Sequence, residues 1–264
     1  MAGGAAILIL QHIVCEPGAA YEDELADRRL EFDRLRVDEG EELPSPEAYA
    51  GIVAMGGPMG TYDDAAHPWL TAEKRFIASA VRAGTPYWGV CLGAQLLAAS
   101  LGVAVGPGAL PEVGVGRVQL TDAAMGDPVF AFAPPAFDAL HWHGDTYELP
   151  AGAVRLASSA QYEEQAFVFE RAYALQFHLE VTAGLADEWL QVPAYLDSLE
   201  RVMGVGNAPV LLEQVARVSS SAIPIARELF GRWLDEVVGV SGASPQLALN
   251  RSASSEPPVA SPGL

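Results

Sequence analysis

Cysteine is scarce in this sequence. Its 264 residues include only Cys15 and Cys91, too few for the disulfide framework of a secreted domain, so a reducing compartment is expected. Positive charge is scarce as well: Lys and Arg total 15 against 34 Asp and Glu, a formal net charge of −19. So acidic a surface repels phosphate backbones and anionic lipid, which argues against nucleic-acid and membrane-surface partners. No apolar run approaches the ~18–20 residues needed to span a bilayer. Met1–Leu10 is apolar but lacks the basic start of a signal peptide, and it reads as a first buried strand. A cytoplasmic protein is expected.

Half of the residues are hydrophobic, enough for one large core. The first hundred residues alternate strand-like and helix-like segments. Ala5–Leu10, Tyr49–Met55 and Pro86–Val90 are short continuous apolar runs, as expected of strands covered on both faces. Phe32–Val37 alternates and reads as another strand. Between them, Tyr21–Leu30, Trp69–Ala83 and Leu92–Leu101 have helical patterning; the last two stop at Gly84 and Gly102, good helix terminators. This succession predicts an α/β fold, a doubly wound and mostly parallel sheet flanked by helices. Gly114–Thr121, Phe137–Trp142, Val154–Ser158, Ala166–Phe169 and Ala172–Phe177 then read as a small antiparallel extension whose last strand returns to the main sheet. Helices are expected over Thr182–Met203 and Leu211–Val237. From Gly239 the composition turns to Ser, Pro, Ala and Gly, too poor in large apolar groups to order itself. The expected organisation is a domain over 1–200, a helical extension over 201–238 packed on it, and a disordered tail over 239–264.

The sharpest local feature is Gly89-Val90-Cys91-Leu92-Gly93. A nucleophile flanked by glycines between a strand and a helix describes a nucleophile elbow. The glycines let the chain reverse tightly, and the thiol projects at a helix N-terminus, whose positive end favours thiolate. The N–H of Leu92 is placed to bind an oxyanion. In doubly wound sheets ligands gather at the carboxyl ends of strands, where Gly56-Gly57 also sits. A cysteine nucleophile needs a base, and His178 has the best context of the five histidines. It ends an apolar strand and is followed two residues later by Glu180, which on extended chain points the same way and can fix the ring.

Gly56-Gly57-Pro58, Gly89 to Gln95 (GVCLGAQ) and Gln176 to Glu180 (QFHLE), in this order and spacing, resemble the class I (triad) glutamine amidotransferases over about residues 5–200. Met55–Asp64, Trp142-His143-Gly144-Asp145 and Leu175–Thr182 look most like stand-alone proteins similar to the amidotransferase domain of GMP synthase. The resemblance implies the flavodoxin-like class I amidotransferase fold and attack by cysteine on the side-chain amide of glutamine. That attack releases ammonia and leaves a γ-glutamyl thioester, which water cleaves to glutamate. Carried over, Cys91 is the nucleophile, His178 the acid/base and Glu180 its partner. The backbones of Gly57 and Leu92 form the oxyanion hole, Gln95 helps hold the glutamine, and Trp142, His143 and Gly144 meet its amino-acid end. One departure is Leu179, where many members have proline. Proline stiffens that turn but supplies no reactive group, so the change is expected to be tolerated.

The remaining candidates have blander readings. Cys15 is expected to be inert, and His12 and His67 to be surface or loop residues. Asp63 and Asp64 are expected to solvate their loop. His141 and His143 flank Trp142 at metal-like spacing, but two histidines with no third ligand do not make a site, so no metal is expected. The implied chemistry needs no cofactor. No Walker-type loop and no second catalytic domain is evident, which leaves two enzyme readings. Either the site feeds ammonia to a separate synthetase subunit, or it acts alone on a γ-glutamyl amide or peptide. A third reading, a non-catalytic binding module on the same fold, sits badly with an intact Cys/His/Glu set.

Overall fold

A computed structural model gives the structure of the chain and describes residues 6–240. The expected disordered tail lies outside them, apart from Gly239 and Val240. The described elements are, in order, β1 (Ile7–Gln11), α1 (Ala20–Asp27), β2 (Phe32–Arg36), β3 (Gly51–Ala54), α2 (Trp69–Ala83), β4 (Tyr87–Val90), α3 (Leu92–Ser100), β5 (Val105–Leu120), β6 (Ala136–Tyr147), β7 (Val154–Ser158), β8 (Ala166–Phe169), β9 (Ala172–Leu175), α4 (Ala183–Trp189), α5 (Pro193–Met203) and α6 (Ala208–Arg232). No helix among the described residues is long and apolar enough to cross a membrane.

All nine strands form one sheet in the order β2-β1-β3-β4-β9-β8-β7-β5-β6. From β2 to β9 the pairings are parallel, and from β9 to β6 antiparallel. The expected α/β architecture is therefore present. The reason is visible in β1: Ile7 and Ile9 enter the core on one face of the sheet, Leu8 and Leu10 the core on the other. A strand covered on both faces has no polar side, hence its unbroken apolar run. α1 and α6 cover the first face, α2 and α3 the second. α2 ends where expected, with Gly84 in the left-handed conformation at φ 76°.

Three elements differ from expectation. β5 begins at Val105 and not at Gly114, because the Gly- and Pro-rich stretch before Gly114 still pairs with β6 on either side of a bulge between Pro107 and Glu112. Proline is tolerated at such bulges, and the pairing overrides the poor strand propensity. The helix expected over 182–203 is two helices, because Pro193 cannot continue α4 but suits the first turn of α5. The last helix starts at Ala208, contains Pro224 and continues into a π-helical turn over Trp233–Val238. Its Leu229 and Phe230, with Trp233 and Leu234, join Tyr21, Leu25 and Trp88 in the core. Each such burial stabilises by roughly 2 kcal/mol, so this helix is one of the layers of the sandwich.

The topology positions the site. β4 and β9 are adjacent and parallel, with Val90 opposite Leu175. The residues that follow each strand, Cys91 on one and His178 on the other, therefore emerge side by side at the carboxyl edge of the sheet, next to the Gly56-Gly57 loop after β3.

Candidate active site

Cys91 occupies the turn between β4 and α3 with φ 52° and ψ −105°. A non-glycine residue in that region is strained by about 1–3 kcal/mol and persists only when its surroundings fix it. Here they do. The Cys91 N–H donates to Leu175 O at 2.8 Å, and the Gly93 N–H donates to Met55 O at 3.1 Å. A Cβ at Gly89 would lie 2.6 Å from the Gly93 carbonyl oxygen, and one at Gly93 would collide with the Ala54 carbonyl. Both flanking glycines are thus required by the closeness of the backbone. The Cys91 thiol is 4.0 Å from Trp142 O, toward which it donates.

His178 is pinned to β6 by two backbone bonds, its N–H to Leu140 O at 2.8 Å and the Leu140 N–H to His178 O at 3.1 Å. Its Nδ1 is 2.7 Å from Glu180 Oε1, and both side chains are buried. Burial alone pushes the imidazole down, but the Glu180 carboxylate and then the neighbouring Cys91, by charge and a shared hydrogen bond, raise it well above its ordinary value. The second Glu180 oxygen accepts from the Leu179 N–H at 3.0 Å and, more weakly, from Tyr21 Oη at 3.5 Å. Proline at position 179 would lack that donor, so the departure from the usual pattern adds a tether to Glu180. The Trp189 ring stands edge-on to His178 at 4.9 Å between centroids and closes the site from behind.

In front of Cys91 lies a cavity of about 510 Å³. Gly57, Gln95, Trp142, His143 and Gly144 line it together with Cys91, so it gathers these expected site residues. Gln95 is held by its amide, which donates to Gln176 Oε1 at 3.1 Å. Among the described residues, the N–H groups of Gly57 and Leu92 meet no hydrogen-bond acceptor, as expected of donors kept free for a ligand. His178 and Glu180 lie behind the thiol and do not line the cavity.

Several participants were not evident from the sequence. Arg201 on α5 is the one cation lining the cavity and forms no ion pair among the described residues, while Asp63, Asp145 and Asp197 line the same space. Glu16 is fully enclosed, and Tyr195 Oη donates to its Oε1. Its other oxygen sits against Gly56, where any side chain would collide with it. Burial pushes the Glu16 carboxyl up to about 7, with His178 and Glu180 acting on it in opposite senses.

His12 is a loop residue, in the bend after β1, but not a surface one. It is completely buried, with Nε2 2.9 Å from Glu73 Oε1 and Nδ1 3.1 Å from the Gly56 carbonyl. Burial works against its proton, but Glu73 outweighs it and raises the imidazole above its ordinary value. His12 thus ties the Gly56-Gly57 loop to α2. Cys15 is buried, and burial pushes its thiol up to about 11, in keeping with an inert group. Asp63 and Asp64 brace their own loop, the first accepting from the Gly60 N–H at 2.7 Å and the second from Lys74 at 2.9 Å. The grounds for expecting no metal change, because β5 brings a third potential ligand, Glu112, against His141 and His143. Burial holds His141 down to about 4.

The family model described as "Glutamine amidotransferase class-I" matches residues 19–191. The chain is similar to the glutamine amidotransferase-like protein YfeJ of Salmonella typhimurium, with 30% identity over 231 residues that span 86% of this chain and 94% of that one. A GMP synthase (glutamine-hydrolyzing) of Thermomicrobium roseum is 36% identical over 132 residues, which are 50% of this chain but only 23% of the synthase. Among solved structures, a glutamine amidotransferase from Thermotoga maritima has a TM-score of 0.79 and 33% identity, covering 88% of this chain and 99% of that one. One from Methylobacillus flagellatus has a TM-score of 0.76 and 25% identity, covering 90% and 96%.

Proposed function

The chain belongs to the class I glutamine amidotransferases, a family of enzymes, and on that premise we propose that it cleaves the side-chain amide of glutamine or a related γ-glutamyl amide through a thioester on Cys91. The observation that carries the reading is the Cys91 elbow beside a buried imidazole whose far nitrogen lies 2.7 Å from Glu180. In the first half-reaction the sulfur attacks the amide carbon. His178 takes the thiol proton and passes it to the departing nitrogen, so that ammonia leaves and the γ-glutamyl thioester remains. In the second half-reaction His178 removes a proton from water, the hydroxide adds to the thioester, and glutamate leaves as the thiol is restored.

Glu180 holds the ring in the tautomer that presents Nε2 to sulfur and stabilises the imidazolium. The N–H groups of Gly57 and Leu92 stabilise the oxyanion in both tetrahedral intermediates. At the other end of the substrate, Arg201 pairs with the α-carboxylate, and the nearby aspartates receive the α-ammonium. Gln95 and the backbone of Trp142, His143 and Gly144 complete the grip. Ammonia released here serves an acceptor on a separate synthetase subunit, as the likeness to part of a GMP synthase suggests.

A second reading, a stand-alone γ-glutamyl peptidase, is favoured by the size of the cavity. About 510 Å³ is in the range that accommodates drug-sized ligands, leaving room beyond a free glutamine for an amine substituent. One assay separates the two. The purified chain is given glutamine or γ-glutamyl dipeptides, and the products are quantified. Ammonia and glutamate in equal amounts, lost in Cys91→Ser, support the first reading. Faster dipeptide cleavage supports the second. No amide cleavage of either substrate, even with a synthetase added, rejects both.

A further inference from the structure

The side chains of one buried cluster have no role in the proposed amide hydrolysis. β5 and β6 are antiparallel neighbours, and the bulge after Pro107 sets Glu112 opposite His143. His141, two residues back on β6, shares that face. Glu112 Oε2 is 3.1 Å from His143 Nε2 and 3.5 Å from His141 Nδ1. All three donor atoms lie within 4.8 Å of one another. Ligands of a tetrahedral zinc ion, at about 2.0–2.1 Å from the metal, are themselves about 3.4 Å apart, close to this spacing.

The hydrogen bonding points the same way. His143 Nδ1 donates to Asp145 O at 3.0 Å, which leaves Nε2 as the nitrogen facing Glu112 Oε2. That 3.1 Å contact is one that either a proton or a metal ion bridges. A histidine whose far nitrogen donates to a backbone carbonyl is also the usual support of a metal-binding imidazole. His141 supplies an independent sign. It is 2% exposed, and neither ring nitrogen has a hydrogen-bond partner. A buried polar group left so costs about 1–3 kcal/mol, and ligation through Nδ1 removes part of that cost. The ring rests over Gly116, where the absence of a side chain makes room for it. On the remaining side, Gln165 Nε2 donates to Glu112 Oε2 at 2.6 Å while its Oε1 is buried without a partner. Turned over, that amide offers its oxygen as a fourth ligand.

We propose that Glu112, His141 and His143 bind one divalent transition-metal ion of the zinc class. Two imidazoles and a carboxylate select zinc-like ions over magnesium or calcium, which prefer all-oxygen sites. The ion staples the bulged part of β5 to β6. Pro111 and Val113 on one strand, and Trp142 and Gly144 on the other, line the cavity in front of Cys91, so the metal stiffens that wall without touching the reacting atoms. The proposal does not depend on the proposed reaction.

The test uses the full chain stripped with a chelator and titrated with zinc alone, followed by elemental analysis, with cobalt(II) as the spectroscopic probe. One equivalent of zinc should bind, and Tm should rise by about 5–10 °C at a zinc concentration a hundredfold above Kd. Cobalt should give the intense visible bands of a tetrahedral site. Cys91→Ser should retain the full equivalent. His141→Gln and Glu112→Gln should each weaken binding by more than about 100-fold. Less than a tenth of an equivalent bound by the wild-type chain overturns the proposal. So does an equivalent lost in Cys91→Ser but kept in His141→Gln, which would assign the ion to the thiol. If a variant fails to fold, judged by circular dichroism, the wild-type stoichiometry and the cobalt spectrum still decide.

Discussion

Glu16→Gln should make the protein more stable at pH 8 than its parent, by a margin that shrinks as the pH falls. The carboxyl of Glu16 is fully buried and titrates at about 7 in the folded protein, against an ordinary value of 4.5. Below pH 4.5 both folded and unfolded chains carry its proton, and the residue makes no pH-dependent contribution. Between 4.5 and 7 the unfolded chain gives up the proton first, so each rise in pH favours unfolding. Above 7 both states are ionised and the full penalty stands. At 1.36 kcal/mol per pH unit the gap corresponds to about 3 kcal/mol. Glutamine removes the ionisation, while its amide oxygen still accepts from Tyr195 Oη. Urea unfolding of both proteins at pH 5, 6, 7 and 8 reads the effect, because groups remote from Glu16 titrate alike in the pair. The stability difference should widen in favour of the variant by about 2–3 kcal/mol between pH 5 and pH 8. Parallel pH profiles would refute the argument.

A glutamine-like electrophile should label Cys91 and spare Cys15, whose buried thiol holds its proton up to about 11; intact-mass and peptide analysis reads this, and equal labelling would contradict it. Cys91→Ala should abolish turnover while leaving circular dichroism and Tm nearly unchanged. Glu180→Gln should lower kcat by about 10²–10⁴-fold, the range of a positioned acid–base group, with KM little affected. Arg201→Ala should raise KM for glutamine by about 10–100-fold with kcat changed far less, as expected for the loss of a charge-assisted contact at the unreactive end. Gly93→Ala should destabilise by about 1–3 kcal/mol, because its methyl meets the Ala54 carbonyl; thermal unfolding measures it.

The parts of the fold that the sequence revealed are those dominated by local pattern. β1, β3 and β4 advertise themselves as apolar runs because both their faces are covered. α2 announces its end with Gly84 because a left-handed residue is needed there. Cys91 and His178 were legible for a different reason: each sits where a strand stops, and the glycines around Cys91 are forced by close backbone, Gly89 by Gly93 and Gly93 by Ala54 on the neighbouring strand. The missed elements depend on distant chain. His12 follows β1 in a stretch without periodicity, and only Glu73, 61 residues away on α2, makes its burial tolerable. Glu112 lies in a glycine- and proline-rich segment that is strand only because β6 accepts it. Glu16 gave no signal, since its partner Tyr195 is 179 residues further along.

The place of β9 in the sheet also sets when, during synthesis, Cys91 and His178 can meet. The elements through α3 come from the first hundred residues, but the turn that carries Cys91 still lacks its bond to Leu175 at that stage. The imidazole arrives only after the strand that slots in beside β4 has been made, following the whole antiparallel wing. A growing polypeptide therefore holds Cys91 and His178 apart until the strand that brings them together has been made.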